Sequence, residues 1–189
     1  MNLIHLGLFP AAWTTFAIYW GGSAGRVKRT KESEPRGARI VHLTLSFFAF
    51  ALVFSPAFRT GLLGWKLLPP GRMTFIVGAV ILVAGLGFAV WARIHLGQNW
   101  SATVTLKEGH RLIRTGPYRL VRHPIYTGII TGLAGTAMAL GELRGVIAVV
   151  LLTLVYLFKS RREERFMVKE FGDEYVRYRR EVGALVPFA

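Results

Sequence analysis

Four stretches of this chain, residues 3–20, 40–58, 73–92 and 124–141, run for 18, 19, 20 and 18 residues without a single Asp, Glu, Lys or Arg. A helix needs about 20 such residues to cross a ~30 Å hydrocarbon core, since it rises ~1.5 Å per residue. Lipid offers no partners for backbone N–H and C=O groups, so an apolar run of this length is viable there as a helix, which satisfies them internally. A fifth run, 145–158, has 14 residues and reaches only about 21 Å as a helix. It either extends by snorkelling of Lys159 or pairs with the fourth run as a helical hairpin that enters and returns. Both options leave the residues before 124 and after 158 on one side. The expected fold is an all-α integral membrane protein of five transmembrane helices, the fourth and fifth as a hairpin. It forms a single domain over 1–189, with three helices in 1–92 and the remainder in 93–189.

Composition agrees. Apolar residues make up 52% of the chain, yet the formal charge is +14, a combination that suits a membrane protein with basic loops better than a soluble globule. The cations lie between the uncharged runs and no nucleic-acid motif organises them, so a nucleic-acid partner is not expected. Nor is any obligate protein partner evident. With no cysteine, disulfides, thiolate nucleophiles and Cys-ligated metal are excluded, and no other cluster has metal-ligand spacing. The N-terminus has neither a basic n-region nor a small-residue cleavage site, so 3–20 is expected to be a retained helix.

Charge bias orients the chain. The segments 21–39, 93–123 and 159–189 share one side and hold twenty Lys and Arg residues; Arg59, Lys66, Arg72 and Arg144 are alone on the other. The positive-inside rule then places the N-terminus outside and the C-terminus in the cytoplasm. Gly128 and Gly132 form a G-x-x-x-G continued by Gly135, a face on which a neighbouring backbone can approach closely. Pro69-Pro70-Gly71 marks 61–71 as a turn.

Every plausible reactive residue falls on the basic side. Residues 95–126 interleave Trp100, Tyr118 and Tyr126 with Gln98, Asn99, His110 and His123. Pro124 suits the first position of a helix, with His123 near its cap. The unpaired amides there favour an anion, so Arg122, His123 and those amides could hold a carboxylate or phosphate; equally, Arg122 could meet lipid headgroups while His123 caps. The tail begins Lys159-Ser160-Arg161-Arg162-Glu163-Glu164. Lys159 and Glu163 are four apart and share a helix face, either as a surface ion pair or as part of a site in which a carboxylate holds a ligand's cation. Phe166, Phe171, Tyr175, Tyr178 and Val182 form the apolar stripe of an amphipathic tail helix, interrupted at Gly172-Asp173. A ligand with an anionic group, a cationic group and an aromatic body would use all of this, and S-adenosylmethionine is one candidate.

The segments GHRLIRTGPYRLVRHPIYTG (109–128) and EERFMVKEFGDEYVRYRREVGALVP (163–187) resemble the isoprenylcysteine carboxyl methyltransferase family, which shares its fold with the membrane phospholipid methyltransferases. The likeness runs from about Gly97 to Pro187, and the pairing of R-H-P-x-Y-x-G with E-E-x7-G-x-E-Y-x-x-Y is specific. The resemblance implies S-adenosylmethionine-dependent methyl transfer to a lipophilic acceptor, the carboxylate of a prenylcysteine-like molecule or a lipid amine or thiol, at the cytoplasmic membrane face. It implies cofactor contacts from His110, Arg111, Leu112 and Ile113, enclosure by Tyr118, His123, Pro124, Ile125 and Tyr126, and binding by Glu163, with Glu164 close behind. Lys159 occupies the position of the Arg that eukaryotic members use for the substrate carboxylate, and gives a point charge instead of a bidentate fork. For an acceptor that must lose a proton, His123, Glu163 or Glu164 is the candidate base. Two rival readings are an NADPH-dependent sterol-reductase-like enzyme, against which Ile125 stands where Asn is usual, and a non-catalytic lipid-binding membrane protein.

Overall fold

A computed structural model describes residues 3–23, 30–33, 36–97, 105–107 and 112–187. Six α-helices make up nearly all of it: α1 (Leu3–Ser23), α2 (Arg36–Phe54), α3 (Arg72–Leu96), α4 (Pro124–Leu140), α5 (Leu143–Phe171) and α6 (Asp173–Glu181). Helices α2, α3 and α5 are long and apolar enough to cross a membrane, and α4 is a shorter apolar helix of 17 residues. The all-helical expectation holds, with one small addition. Strands β1 (Thr30–Ser33) and β2 (Thr105–Lys107) pair antiparallel between the basic segments.

The fifth apolar run lies within a longer helix: α5 spans 29 residues, about 43 Å. Charge marks where the helix leaves lipid, not where its hydrogen bonding stops. The hairpin with α4 is present and turns at Gly141, whose φ of +66° is a left-handed conformation that closes α4 through its N–H to the Ala137 carbonyl. The 61–71 segment is also more ordered than a plain turn, since Gly61–Gly64 forms a short 3₁₀ helix, as does Pro56–Phe58 just before it.

The small-residue face of α4 packs on α3. A Cβ at Gly128 would lie 2.5 Å from the Gly85 carbonyl oxygen, and one at Gly135 equally close to that of Gly78. Two glycines of α3 thus face those of α4, and the backbones touch. Helix α1 is tied to α4 by the Trp13 indole N–H, which donates to Thr136 Oγ1 at 3.0 Å. Helix α2 packs along α5, with Ala49, Leu52, Ala148 and Leu152 buried between the helices.

The two ends of the bundle are each closed by charges. At the hairpin end, Glu142 accepts from Lys66 Nζ (2.6 Å) and Arg144 Nε (2.6 Å). Burial would raise the Glu142 pKa, but these two cations outweigh it and keep the group below the usual carboxylate value. The fully buried Arg144 also donates to the carbonyls of Leu52 and Ser55. The other end carries the candidate site.

Candidate functional site

Pro124 is the first residue of α4, as its fixed φ favours. His123 is the N-cap residue by position, yet its side chain makes no capping bond. The ring turns instead to α5. Its Nδ1 is 3.3 Å from Glu163 Oε2, and its Nε2 is 3.3 Å from Glu164 Oε1. A neutral imidazole has one N–H, so a carboxylate oxygen within 3.3 Å of each nitrogen favours the imidazolium. Burial disfavours that charge, but the hydrogen bonds and charges of Glu163 and Glu164 outweigh it and raise the His123 pKa.

The adjacent acids have different surroundings. Glu164 is buried, with 7% of its side chain exposed, and is saturated: Arg122 donates from Nε at 2.8 Å and Nη2 at 2.7 Å, and Arg179 Nε lies at 3.2 Å. Arg122 further donates to the carbonyls of Arg179 and Val182. Arg122 therefore neutralises the protein's own acid and bridges α4 to the tail, whichever anion the sequence alone allowed it. Glu163 keeps 21% of its side chain exposed and accepts from the Tyr126 hydroxyl. Tyr126 stacks with both His123 (5.6 Å) and Tyr156 (4.5 Å), and Lys159 Nζ lies 5.2 Å from the Tyr126 ring centre.

The tail forms the outer wall. Gly172, at φ +52°, ends α5 and lets α6 fold back. The Arg122 and His123 amides donate to the carbonyls of Gly183 and Ala184 at 2.9 and 3.0 Å, and Thr127 Oγ1 donates to that of Leu185. Tyr178 donates to the Tyr118 carbonyl. Burial raises the pKa of both phenols, that of Tyr178 to about 12, so both stay neutral. The tail stripe thus packs over the 112–123 segment through the buried Tyr175 and Tyr178.

Of the sequence-derived site residues, His123, Tyr126, Lys159, Glu163 and Glu164 meet in one cluster. Pro124 and Ile125 are buried beneath it, and Tyr118 lies in the same wall through Tyr178. Leu112 and Ile113 are described and partly buried. His110, Arg111, Gln98, Asn99 and Trp100 lie outside the described residues. Two participants were not anticipated, Arg179 and Tyr156. Tyr156 is the one aromatic between Leu140 and Phe158 and sits seven residues before Glu163, two helical turns on the same face, which was a usable signal. Beside Tyr156 opens a cavity of about 910 Å³, lined by Trp13, Phe16, Trp20, Phe50, Phe54 and Ile129 among others.

Fold and site together define an integral membrane protein of packed apolar helices with a buried acid–imidazolium–arginine cluster where two of them leave their apolar stretches. The sequence profile of the phospholipid methyltransferase family matches residues 73–174, just over half of the chain, and the chain belongs to that family. The likeness to isoprenylcysteine carboxyl methyltransferases is borne out as well. The chain is 37% identical over 102 residues to a protein-S-isoprenylcysteine O-methyltransferase of Schizosaccharomyces pombe, covering 51% of this chain and 42% of the relative. It is 41% identical over 73 residues to methanethiol S-methyltransferase 1 of Bradyrhizobium diazoefficiens, covering 38% and 24%. The solved structure of the eukaryotic intramembrane Ras methyltransferase, isoprenylcysteine carboxyl methyltransferase, shares its fold, with a TM-score of 0.52 at 22% identity over 82% of this chain and 54% of that one. The chain spans about half the length of the curated relatives it matches.

Proposed function

We propose that this chain is a methyltransferase that uses S-adenosylmethionine to methylate a lipophilic acceptor at the cytoplasmic face of a membrane. One observation carries the reading: the stretch ahead of α4 and the acidic pair of α5, 40 residues apart in sequence, meet on the two nitrogens of His123. The residues present suit the cofactor. An ionised carboxylate offers about four lone-pair sites, and Glu163 has one oxygen on Tyr126 and the other on His123, with an exposed edge left for an ammonium group. The stacked Tyr126 and Tyr156 give a flat surface for a heterocycle or a sulfonium. S-adenosylmethionine, when bound, supplies a methyl group on an already activated carbon.

The chain's own task is then placement, a contribution that can reach ~7–11 kcal/mol of a barrier. His123, charged and held between two acids, fixes the direction of Glu163. Arg122 and Glu164 lock the tail over the site. The aromatic cavity beside Tyr156 would take the apolar part of the acceptor, and its reactive end would then lie near Tyr126 and Glu163. Lys159 would attract an anionic acceptor as a point charge. A carboxylate acceptor, such as that of a prenylcysteine, needs no base; a lipid amine or thiol must also lose a proton, for which Glu163 is the partly exposed candidate. The five apolar runs support five spans, and the twenty-to-four charge bias supports an N-terminus outside with the site and C-terminus inside.

The test is equilibrium binding of labelled S-adenosylmethionine to the purified protein, with NADPH as competitor. Saturable binding that NADPH leaves intact and that Glu163→Gln weakens at least tenfold is the expected result. Displacement by NADPH would mean a reductase, and no binding of either would leave a lipid-binding protein. A prenylcysteine set against a lipid amine and a thiol then sorts the acceptor.

A further inference from the structure

We propose that the outer faces of α2 and α5, where the two helices leave their apolar stretches, bind the headgroups of anionic phospholipids. Along α5 the side chains turned away from the protein form one stripe at helical spacing. Val146, Val150, Leu154 and Phe158 are exposed, and the stripe continues through exposed Arg161, Arg165 and Lys169. It changes from apolar to basic within one turn, between Phe158 and Arg161, as a helix does in passing from acyl chains to headgroups. The acids of that turn point the other way: Glu164 is buried against Arg122, and Glu163 faces Tyr126 and His123. Helix α5 therefore turns Glu163 and Glu164 inward and Arg161, Arg165 and Lys169 outward, and its next acid, Glu170, is exposed about two turns further on.

Helix α2 repeats the arrangement in reverse. Arg36 and Arg39 are exposed at its start, and exposed Ile40, Val41 and Leu43 follow. The two sets stand at one level. Arg144, at the start of α5, donates to the carbonyls of Leu52 (2.9 Å) and Ser55 (3.0 Å), at the end of α2, so the two packed helices run antiparallel. From that contact, the 16 residues back to Arg36 and the 16 residues on to Ser160 each climb about 24 Å. Arg36, Arg39, Arg161 and Arg165 thus form a belt with apolar side chains on its membrane side. A juxtamembrane cation at an anionic surface contributes about 1 kcal/mol, or about fivefold. The chemistry that fits this belt is a leaflet of anionic headgroups.

The experiment uses the full chain reconstituted in phosphatidylcholine vesicles, with spin-labelled phosphatidylglycerol or phosphatidylcholine as the probe lipid. The spectrum gives the relative association constant of the two at the protein surface. Phosphatidylglycerol is expected to be preferred about fivefold or more at low salt, with the preference shrinking as salt rises. Replacing Arg36, Arg39, Arg161 and Arg165 together by Gln should bring the ratio close to unity, while replacing all four by Lys should preserve it. Helix content and a monodisperse gel-filtration peak qualify each variant. A wild-type ratio near unity, a preference that survives the Gln variant, or one lost in the Lys variant would overturn the proposal. So would loss to inorganic phosphate beyond that caused by chloride at equal ionic strength, which would mark a site for free phosphate instead.

Discussion

At the level of single residues, the adjacent acids Glu163 and Glu164 differ in what removal should do. Glu164→Gln leaves Arg122, whose side chain is 9% exposed, without its charge partner. Breaking a buried pair from one side costs about 3–5 kcal/mol, or roughly 6–20 °C of melting temperature for a chain of this size. Glu163→Gln is expected to lose much less stability and to act on ligand binding, so thermal unfolding of the two purified variants should separate them. His123 adds a pH signature. Its pKa is raised in the folded protein, so its contribution is fully present below the ordinary value near 6.5 and is lost as pH rises through the higher folded value. The loss is at most ~1.4 kcal/mol per pH unit for one proton. Melting temperature measured through that window should fall, and the fall should flatten in His123→Gln. Sequence reading brought His123, Glu163 and Glu164 to one place and favoured Glu163 only narrowly over Glu164. Neighbours on a helix point about 100° apart, and which one turns inward is decided by Arg122, 42 residues earlier, and Arg179, in the following helix.

At the level of elements, the α3–α4 interface makes the clearest prediction. A Cβ on Gly85 would lie 2.6 Å from the Gly128 carbonyl oxygen and 3.0 Å from the Gly132 Cα, both backbone atoms that cannot turn aside. Gly85→Ala should separate the helices and cost about 1–3 kcal/mol, the usual range for overpacking. Gly87, two residues on, meets nothing within 4 Å, so Gly87→Ala should be neutral or slightly stabilising, as Ala is the better helix former. Equal melting temperatures for the two variants would refute the close-contact reading. The α4 half of this contact was visible as a G-x-x-x-G, whereas Gly78 and Gly85 were not recognised. Seven residues is also two helical turns, but a spacing names no partner until the helices are placed. The length of α5 was hidden for another reason: charge density records where a helix leaves lipid, and says nothing of hydrogen bonds that continue beyond it.

At the level of the whole molecule, the bundle has two chemically distinct ends. One is closed by Lys66, Glu142 and Arg144, and the other by the His123 cluster and the folded-back tail. Helices α2 and α5, antiparallel and joined through Arg144, carry these ends on opposite sides of their apolar lengths. Because the chain has no cysteine, single cysteines can report on each side without a background. Leu62 is 68% exposed in the segment between α2 and α3, at the hairpin end, and Glu174 is exposed in α6, at the site end. With cations concentrated at the site end, a membrane-impermeant maleimide should label Leu62→Cys in right-side-out vesicles and Glu174→Cys only in inverted ones. Labelling of both from one side would mean that α2 and α5 do not cross, and the reversed pattern would turn the proposed cofactor site away from the cytoplasm. The same pair of cysteines therefore tests the charge rule and the location of the chemistry together, since both depend on the tail lying on the side where basic residues outnumber those opposite by five to one.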